Sequence, residues 1–372
     1  MEKYSNRIYW MIGVITLGSF VLFGAATVFG KNVIPELSTN FSSSVKGDDN
    51  KSSEITFAKG GDISAWSTSP NEILADIDSM HLNSVSIPVR VNISDVNNSD
   101  ASVDPSSMAY AQNIASIMEK KHINTIVEPY PYIKEGTRTE VELDPTNKHE
   151  FMVNWSNSVK TIAKAFSKND NVKGLYIGSN LVHLENETDE FTTLISDLRP
   201  IFKGDIIYRT NWWYNAVWDE PTTKAFEKKK ETPLFKKVDV LSIASYFEVT
   251  NTGEDIMSVP ELKTALNSTT KYSRQQHIID QIKALHEATG KPITFGELGI
   301  TNFKGAMANP YKYDYQRTDP MDDNIQSVWY TAWVETMKQY DWFKGYYLFG
   351  VGDTNSIFAP NAKAQETVRN LK

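Results

Sequence analysis

From Ile55 to the end of the chain, short apolar runs alternate with amphipathic helical stretches, and the alternation repeats eight times. The runs are Ile55–Ala58, Ser84–Val91, Asn124–Glu128, Val172–Ile177, Asp205–Thr210, Val238–Ala244, Ile293–Phe295 and Gly345–Phe349. Helical stretches follow near Ser69-Pro70, at Pro105–Lys121, Lys148–Phe166, Glu187–Phe202, Ser273–Thr289, Asp323–Tyr340 and Ala362–Leu371, with the segment after the fifth run ill-defined. Strict βα alternation implies a parallel sheet. Eight such units in about 320 residues predict an α/β fold of the closed (β/α)8, or TIM-barrel, kind. An open doubly wound sheet is the rival, but no Gly-x-Gly-x-x-Gly turn or P-loop follows any run.

Two segments precede the barrel. Ile8 to Gly30 carries no charge and is mostly apolar, and a helix needs about 20 such residues to span a bilayer. Lys3 and Arg7 in front of it favour an N-terminus on the cytoplasmic side, and Tyr9 and Trp10 suit the interface. Residues 1–30 therefore read as a cytoplasmic tip and transmembrane signal-anchor, with the lipid bilayer as partner of residues 8–30. Cleavage near Ala25-Ala26-Thr27, releasing a secreted protein, is the alternative. Residues 31–54, which include Ser42-Ser43-Ser44 and Ser52-Ser53, are too polar to pack and read as a flexible tether. Residues 55–372 would then be an outward-facing barrel domain on the cell surface.

Composition narrows the chemistry. With no cysteine, disulfides, thiolate metal sites and cysteine nucleophiles are excluded. A net charge of −8, with no basic cluster beyond Lys228-Lys229-Lys230, argues against a nucleic-acid partner. His183 stands alone, no His- or Asp-rich cluster has metal-ligand spacing, and no organic cofactor motif occurs, so no cofactor or metal is expected. Aromatics are plentiful, at 17 Tyr, 17 Phe and 9 Trp, a surplus that suits carbohydrate binding as well as core packing.

In a parallel barrel, function gathers where the strands run out at their C-terminal ends. Those positions hold Gly60-Gly61-Asp62, Arg90, Glu128-Pro129-Tyr130, Gly178-Ser179-Asn180, Asn211-Trp212-Trp213, Tyr246-Phe247-Glu248, Glu297 and Phe349. They describe one mouth of aromatics, amides and carboxylates. Glu297 sits between Gly296 and Gly299 where an apolar strand ends, and an unpaired buried charge there is costly unless used. Tyr246 is placed to hydrogen-bond Glu297, and Arg90 to keep it ionised. Asn211, Trp212, Trp213 and Glu128 complete the expected sugar-binding surface.

Four of these segments, Val172–Leu181, Tyr208–Trp213, Ser242–Phe247 and Lys291–Gly299, occur in order and are followed by Ala359–Val368. Together they resemble glycoside hydrolase family 113, β-mannanase-like (β/α)8 enzymes of the large retaining clan, over roughly Ile55 to Leu371. The resemblance implies hydrolysis of β-linked polysaccharide by two carboxyl groups about 5–5.5 Å apart. Glu297 takes the nucleophile's place. The acid/base place, in a Gly-Thr-Glu-Leu type motif, holds Gly178-Ser179-Asn180-Leu181, so the expected acid is an amide. An amide gives no proton to a leaving oxygen at neutral pH. Glu185 in the same βα loop is the nearest substitute acid, with Glu128 and Glu248 as others. The alternative is a catalytically inactive glycan-binding or cell-wall polymer assembly protein.

Overall fold

The computed structural model describes residues 57–267, 272–316 and 318–371. The expected membrane anchor at 8–30 and tether at 31–54 lie outside these residues. Among the described residues, no helix is long and apolar enough to cross a membrane.

The strands are β1 (Ala58–Ile63), β2 (Ser84–Ile93), β3 (Ser102–Val103), β4 (Asn124–Ile133), β5 (Val172–Ser179), β6 (Asp205–Asn211), β7 (Val240–Ala244), β8 (Ile293–Leu298) and β9 (Phe343–Val351). All but β3 form one parallel sheet in the order β1-β9-β8-β7-β6-β5-β4-β2, and β1 pairs back onto β2 to close it. The result is the eight-stranded (β/α)8 barrel that the alternation predicts. The two residues of β3 add an antiparallel bridge at the C-terminal end of β2.

Around the barrel run α1 (Pro70–Met80), α2 (Pro105–Lys120), α3 (Lys148–Phe166), α4 (Thr188–Leu198), α5 (Glu220–Lys230), α6 (Val259–Asn267), α7 (Ile278–Thr289), α8 (Asn324–Met337) and α9 (Ala362–Asn370). Local chemistry starts them. The side chains of Ser69, Asp104 and Asn147 each accept from a backbone N–H in the first turn of α1, α2 and α3, and proline opens α1 and α2. The ill-defined segment after the fifth sequence run contains α5, with Lys228, Lys229 and Lys230 in its last turn where cations suit the helix dipole. A second helix, α6, lies before α7, and α7 starts at Ile278 rather than at Ser273.

Successive side chains on a strand face opposite sides. On β2, Val85, Ile87, Val89 and Val91 are fully buried in the large core shared with the helices. A smaller core of Ile126, Tyr176, Ile207, Val240 and Tyr347 fills the barrel itself. Two expected strand ends move. β1 begins at Ala58, so Gly60-Gly61-Asp62 lies within the strand, and β4 runs on to Ile133, so Glu128 is mid-strand. Asp62 and Glu128 are therefore buried groups, 5% and 2% exposed, rather than rim residues.

Candidate active site

Glu297 is placed by an irregularity in β8. The register with β7 shifts between Ile243, opposite Phe295, and Ala244, opposite Glu297. Phe295 packs outward against Trp333, while Gly296 and Glu297 both meet barrel-lining groups. Gly296 has to be a glycine, because a Cβ there would lie 2.4 Å from Ser242 Oγ, 2.6 Å from the Tyr176 hydroxyl and 2.8 Å from Arg209 Cδ. The second glycine also makes room, since a Cβ on Gly299 would crowd the Tyr246 ring at 3.0 Å. Glu297 is consequently only 6% exposed, and its carboxylate is held from three sides. The Tyr246 hydroxyl donates to Oε2 (3.0 Å), the Asn180 amide donates to Oε1 (3.1 Å), and Arg209 Nε lies 3.0 Å from Oε1. The Arg209 N–H is poorly aligned on that oxygen, so this third contact is ionic rather than a directed hydrogen bond.

Arg209, 2% exposed, is the hub of the barrel interior. One guanidinium nitrogen pairs with Glu128, another lies 3.6 Å from Asp62 and donates to the Gly296 carbonyl at 3.2 Å, and the plane sits 5.0 Å over the Tyr176 ring. Neighbouring carboxylates raise its pKa well above the ordinary arginine value against the opposing effect of burial, so it is permanently charged. One cation thus faces Asp62, Glu128 and Glu297. Burial, opposed by Arg209, raises the carboxyls of Asp62 and Glu128 above their ordinary values, and the charge of Glu297 adds to both. Burial and the charge of Glu297 likewise hold the Tyr246 hydroxyl well above its ordinary pKa, so it stays a donor.

Asn180 lies at the end of β5 in the left-handed region, φ 54°. Its amide nitrogen donates to two carboxylates at once, Glu297 Oε1 at 3.1 Å and Glu140 Oε1 at 3.0 Å. Glu140 comes from the loop after β4, where it opens a single turn, Glu140–Glu142, capped reciprocally by Thr139 and Glu142. Burial raises its carboxyl above the ordinary value, the charge of Glu297 adds, and the Asn180 hydrogen bond opposes.

Around this centre the mouth is aromatic. Trp212 stacks on Tyr311 at 5.0 Å and meets Tyr246 edge-on at 5.4 Å. Trp66 and Trp218 stand out from the βα loops, 46% and 65% exposed. A sequence profile, described as Glycoside Hydrolase Family 113, matches residues 55–367. The chain belongs to glycoside hydrolase family 113. Two solved structures of that family are similar in fold. One, a β-1,4-mannanase, is 16% identical with a TM-score of 0.64, over 86% of this chain and all of that one. The other, the β-mannanase AaManA from Alicyclobacillus acidocaldarius in complex with ManMIm, is 15% identical with a TM-score of 0.66, over 85% of this chain and 97% of that one. No curated protein sequence matches this chain.

Within this family's barrel, several residues singled out from sequence are placed elsewhere. Arg90 does not contact Glu297: it donates to the Ala65 carbonyl and is sandwiched between the Trp66 and Tyr132 rings at 4.8 and 4.7 Å. The guanidinium at Glu297 is that of Arg209, whose signal was a lone cation in the apolar run Asp205–Thr210 at a lumen-facing register. Glu185 is held behind the sheet, its carboxylate accepting from Thr210 (2.6 Å) and Tyr208 (3.5 Å) and lying 3.6 Å from Lys229. Tyr208 and Thr210 alternate with Arg209, so they face the helices, and Glu185 lines a cavity of about 350 Å³ with Trp213, Phe226 and Lys229. Trp213 is core rather than platform: it stacks on Phe226 at 5.3 Å, meets Phe247 at 4.9 Å and donates to Gln281.

Asn211 and Trp212 stand at the mouth, half-buried, and the Asn211 side chain accepts from the Trp212 N–H. Glu128 belongs to the buried ionic cluster, and Glu248 accepts from the hydroxyls of Tyr214, Tyr272 and Tyr311. His183 is exposed. Glu140 was missed, and the only trace of it in sequence is the Thr139-x-x-Glu142 capping pattern that marks its turn. No group of three or more side chains suited to a metal ion occurs among the described residues.

Proposed function

We propose that this protein is a retaining glycoside hydrolase acting on β-linked polysaccharide, with Glu297 as the nucleophile. The observation that carries the reading is the setting of Glu297: a buried carboxylate at the C-terminal end of a barrel strand, gripped by Tyr246, Asn180 and Arg209, under an aromatic mouth. Tyr246 and Arg209 set a hydroxyl donor and a cation against the carboxylate that would attack the anomeric carbon. Trp212 and Tyr311 offer ring faces for the apolar face of a sugar, and the half-buried Asn211 offers an amide beside them. Both similar structures are β-mannanases by description, so β-1,4-linked mannan is the first substrate class to test. No metal or organic cofactor enters the mechanism.

The test is release of reducing ends from β-1,4-mannan, other β-linked polymers and purified wall glycans by wild type and Glu297→Gln. Turnover abolished in the variant supports the reading, and turnover unchanged by it refutes the assignment of the nucleophile. The second reading, a glycan-binding protein without turnover, is favoured by one observation, the amide at position 180. It predicts that wild type and Glu297→Gln bind the same glycan and neither yields product.

The uncharged apolar stretch at 8–30 also supports a location at the cell membrane, N-terminus inside and barrel outside. Recovery of the full-length protein in a carbonate-washed membrane fraction, with the barrel open to external protease, is the expected outcome. Recovery of a shortened chain in the medium would show cleavage instead.

A further inference from the structure

We propose that Glu140, supplied by the loop after β4, is the general acid/base that Asn180 cannot be. The inference rests on the retaining-hydrolase reading and adds the residue that reading lacks. Its basis is the shared amide: Asn180 Nδ2 donates 3.0 Å to Glu140 Oε1 and 3.1 Å to Glu297 Oε1. Two contacts through one nitrogen limit the separation of those oxygens to about 6 Å, and about 5 Å if each takes one of the two N–H groups of the planar amide. Retaining glycosidases hold their two carboxyl groups about 5–5.5 Å apart. Asn180 therefore acts as a positioning residue between the pair. Its own oxygen is buried and accepts no hydrogen bond from the protein.

The other acids do not meet this requirement. Glu185 is behind the sheet, Glu128 is clamped by Arg209, and Glu248 is taken up by the hydroxyls of three tyrosines. Glu140 alone among them touches Asn180. As a residue it is half-buried, less enclosed than Glu128 at 2% exposed. Its turn is fixed: the Thr139 N–H and hydroxyl donate to Glu142 at 2.8 and 3.1 Å, and Arg138 pairs with Glu142 at 3.0 Å. The charged and titratable groups felt at Glu140 are Glu297, Arg209, Glu128 and Tyr130, and burial with the Glu297 charge favours its protonated form.

In the first step the Glu140 carboxyl proton passes to the glycosidic oxygen as its bond to the anomeric carbon breaks, and Glu297 bonds that carbon. The products are a free alcohol, a glycosyl ester on Glu297 and a Glu140 carboxylate. In the second step that carboxylate takes a proton from water, the water oxygen bonds the anomeric carbon, and Glu297 leaves as a carboxylate. One water is consumed for each linkage hydrolysed.

The test compares wild type, Glu140→Gln and Glu297→Gln on β-linked oligosaccharides and on the matching 2,4-dinitrophenyl glycosides, with and without azide. Glu140→Gln is expected to lose about 10²–10⁴-fold in kcat/KM on the oligosaccharide. It should still release dinitrophenolate in a first turnover, because that leaving group needs no proton. Azide should restore turnover and yield the β-glycosyl azide, which also shows that the variant is folded, and the basic limb of the pH–rate profile should vanish. If Glu140→Gln hydrolyses the oligosaccharide at the wild-type rate while Glu297→Gln is dead, Glu140 is refuted and the hydrolase reading stands. If wild type turns over neither substrate class, the hydrolase reading fails and the role of Glu140 with it; if Glu297→Gln is as active as wild type, the nucleophile assignment fails, and with it a role for Glu140 defined by its distance from Glu297.

Discussion

Replacing Arg209 by methionine removes the one cation that, among the described residues, contacts Asp62, Glu128 and Glu297, while keeping an unbranched apolar stem in its place. Breaking a buried ion pair from one side costs about 3–5 kcal/mol when the partner charge is left behind. The carboxyls can escape that penalty by taking up protons, and this makes the effect depend on pH. Asp62 and Glu128 already have raised values with Arg209 present, and Arg209 is the largest influence lowering them. Without it their folded-state pKa values rise further. A carboxyl whose folded pKa lies above its unfolded value contributes stability that is complete below the unfolded pKa and is lost as pH rises through the folded pKa.

The penalty of Arg209→Met should therefore be small near pH 4 and grow toward about 3–5 kcal/mol near pH 8. Each affected carboxyl contributes a slope of up to about 1.4 kcal/mol per pH unit across its window. Urea unfolding of wild type and variant at about pH 4, 6 and 8 measures this directly. A penalty equal at all three pH values, or largest at pH 4, would refute the claim that Arg209 offsets buried negative charge.

Three other perturbations have defined outcomes. Tyr246→Phe deletes a hydrogen bond to a buried carboxylate, a contact worth about 1.5–3 kcal/mol, so kcat/KM should fall about 10- to 150-fold with the far-UV circular dichroism unchanged; a loss under threefold would remove Tyr246 from the machinery. Asp62→Asn should gain stability over wild type as pH rises through the raised Asp62 titration, read as a growing difference in Tm from acid to neutral pH, and a difference that shrinks instead would contradict the raised value. Gly296→Ala forces a Cβ to within 2.4 Å of Ser242 Oγ and 2.8 Å of Arg209 Cδ; overpacking of this kind costs about 1–3 kcal/mol, and activity should fall with it, whereas wild-type stability and rate would show that the bulge yields freely.

Much of the fold was legible because period-two apolar runs and capped helices are local signals. The runs at Val172, Asp205 and Ile293 coincide with the starts of β5, β6 and β8, or nearly so. The errors arose where a strand carries non-apolar residues. Gly60-Gly61-Asp62 reads as the end of the first strand, yet it lies within β1, and glycine is required at 60 because a Cβ there would collide with the Tyr347 ring of β9, a demand made by the neighbouring strand. At the site, Glu297 and Tyr246 were placed by their strand ends. Arg90 and Arg209 could not be told apart from position alone, because both are cations on lumen-facing registers and only the three-dimensional neighbours differ. Glu140 lies in an irregular loop some forty residues before Asn180, and no periodicity connects the two. Trp213 was assigned to the mouth with Trp212, although adjacent residues leaving a strand face opposite ways.

The left-handed backbone of Asn180 has a further consequence. At φ 54° asparagine is among the few side chains that sit without much strain, and most others prefer to avoid the region. A glutamate installed there by Asn180→Glu would arrive with an unfavourable backbone and with Glu140 and Glu297 as like-charged neighbours, so it should be pushed aside rather than take up the acid's work. The amide is thereby locked in from two directions, by conformation and by charge. The barrel keeps the layout of a two-carboxylate hydrolase, but the seat usually given to the second carboxylate has become a bracket for one arriving from another loop.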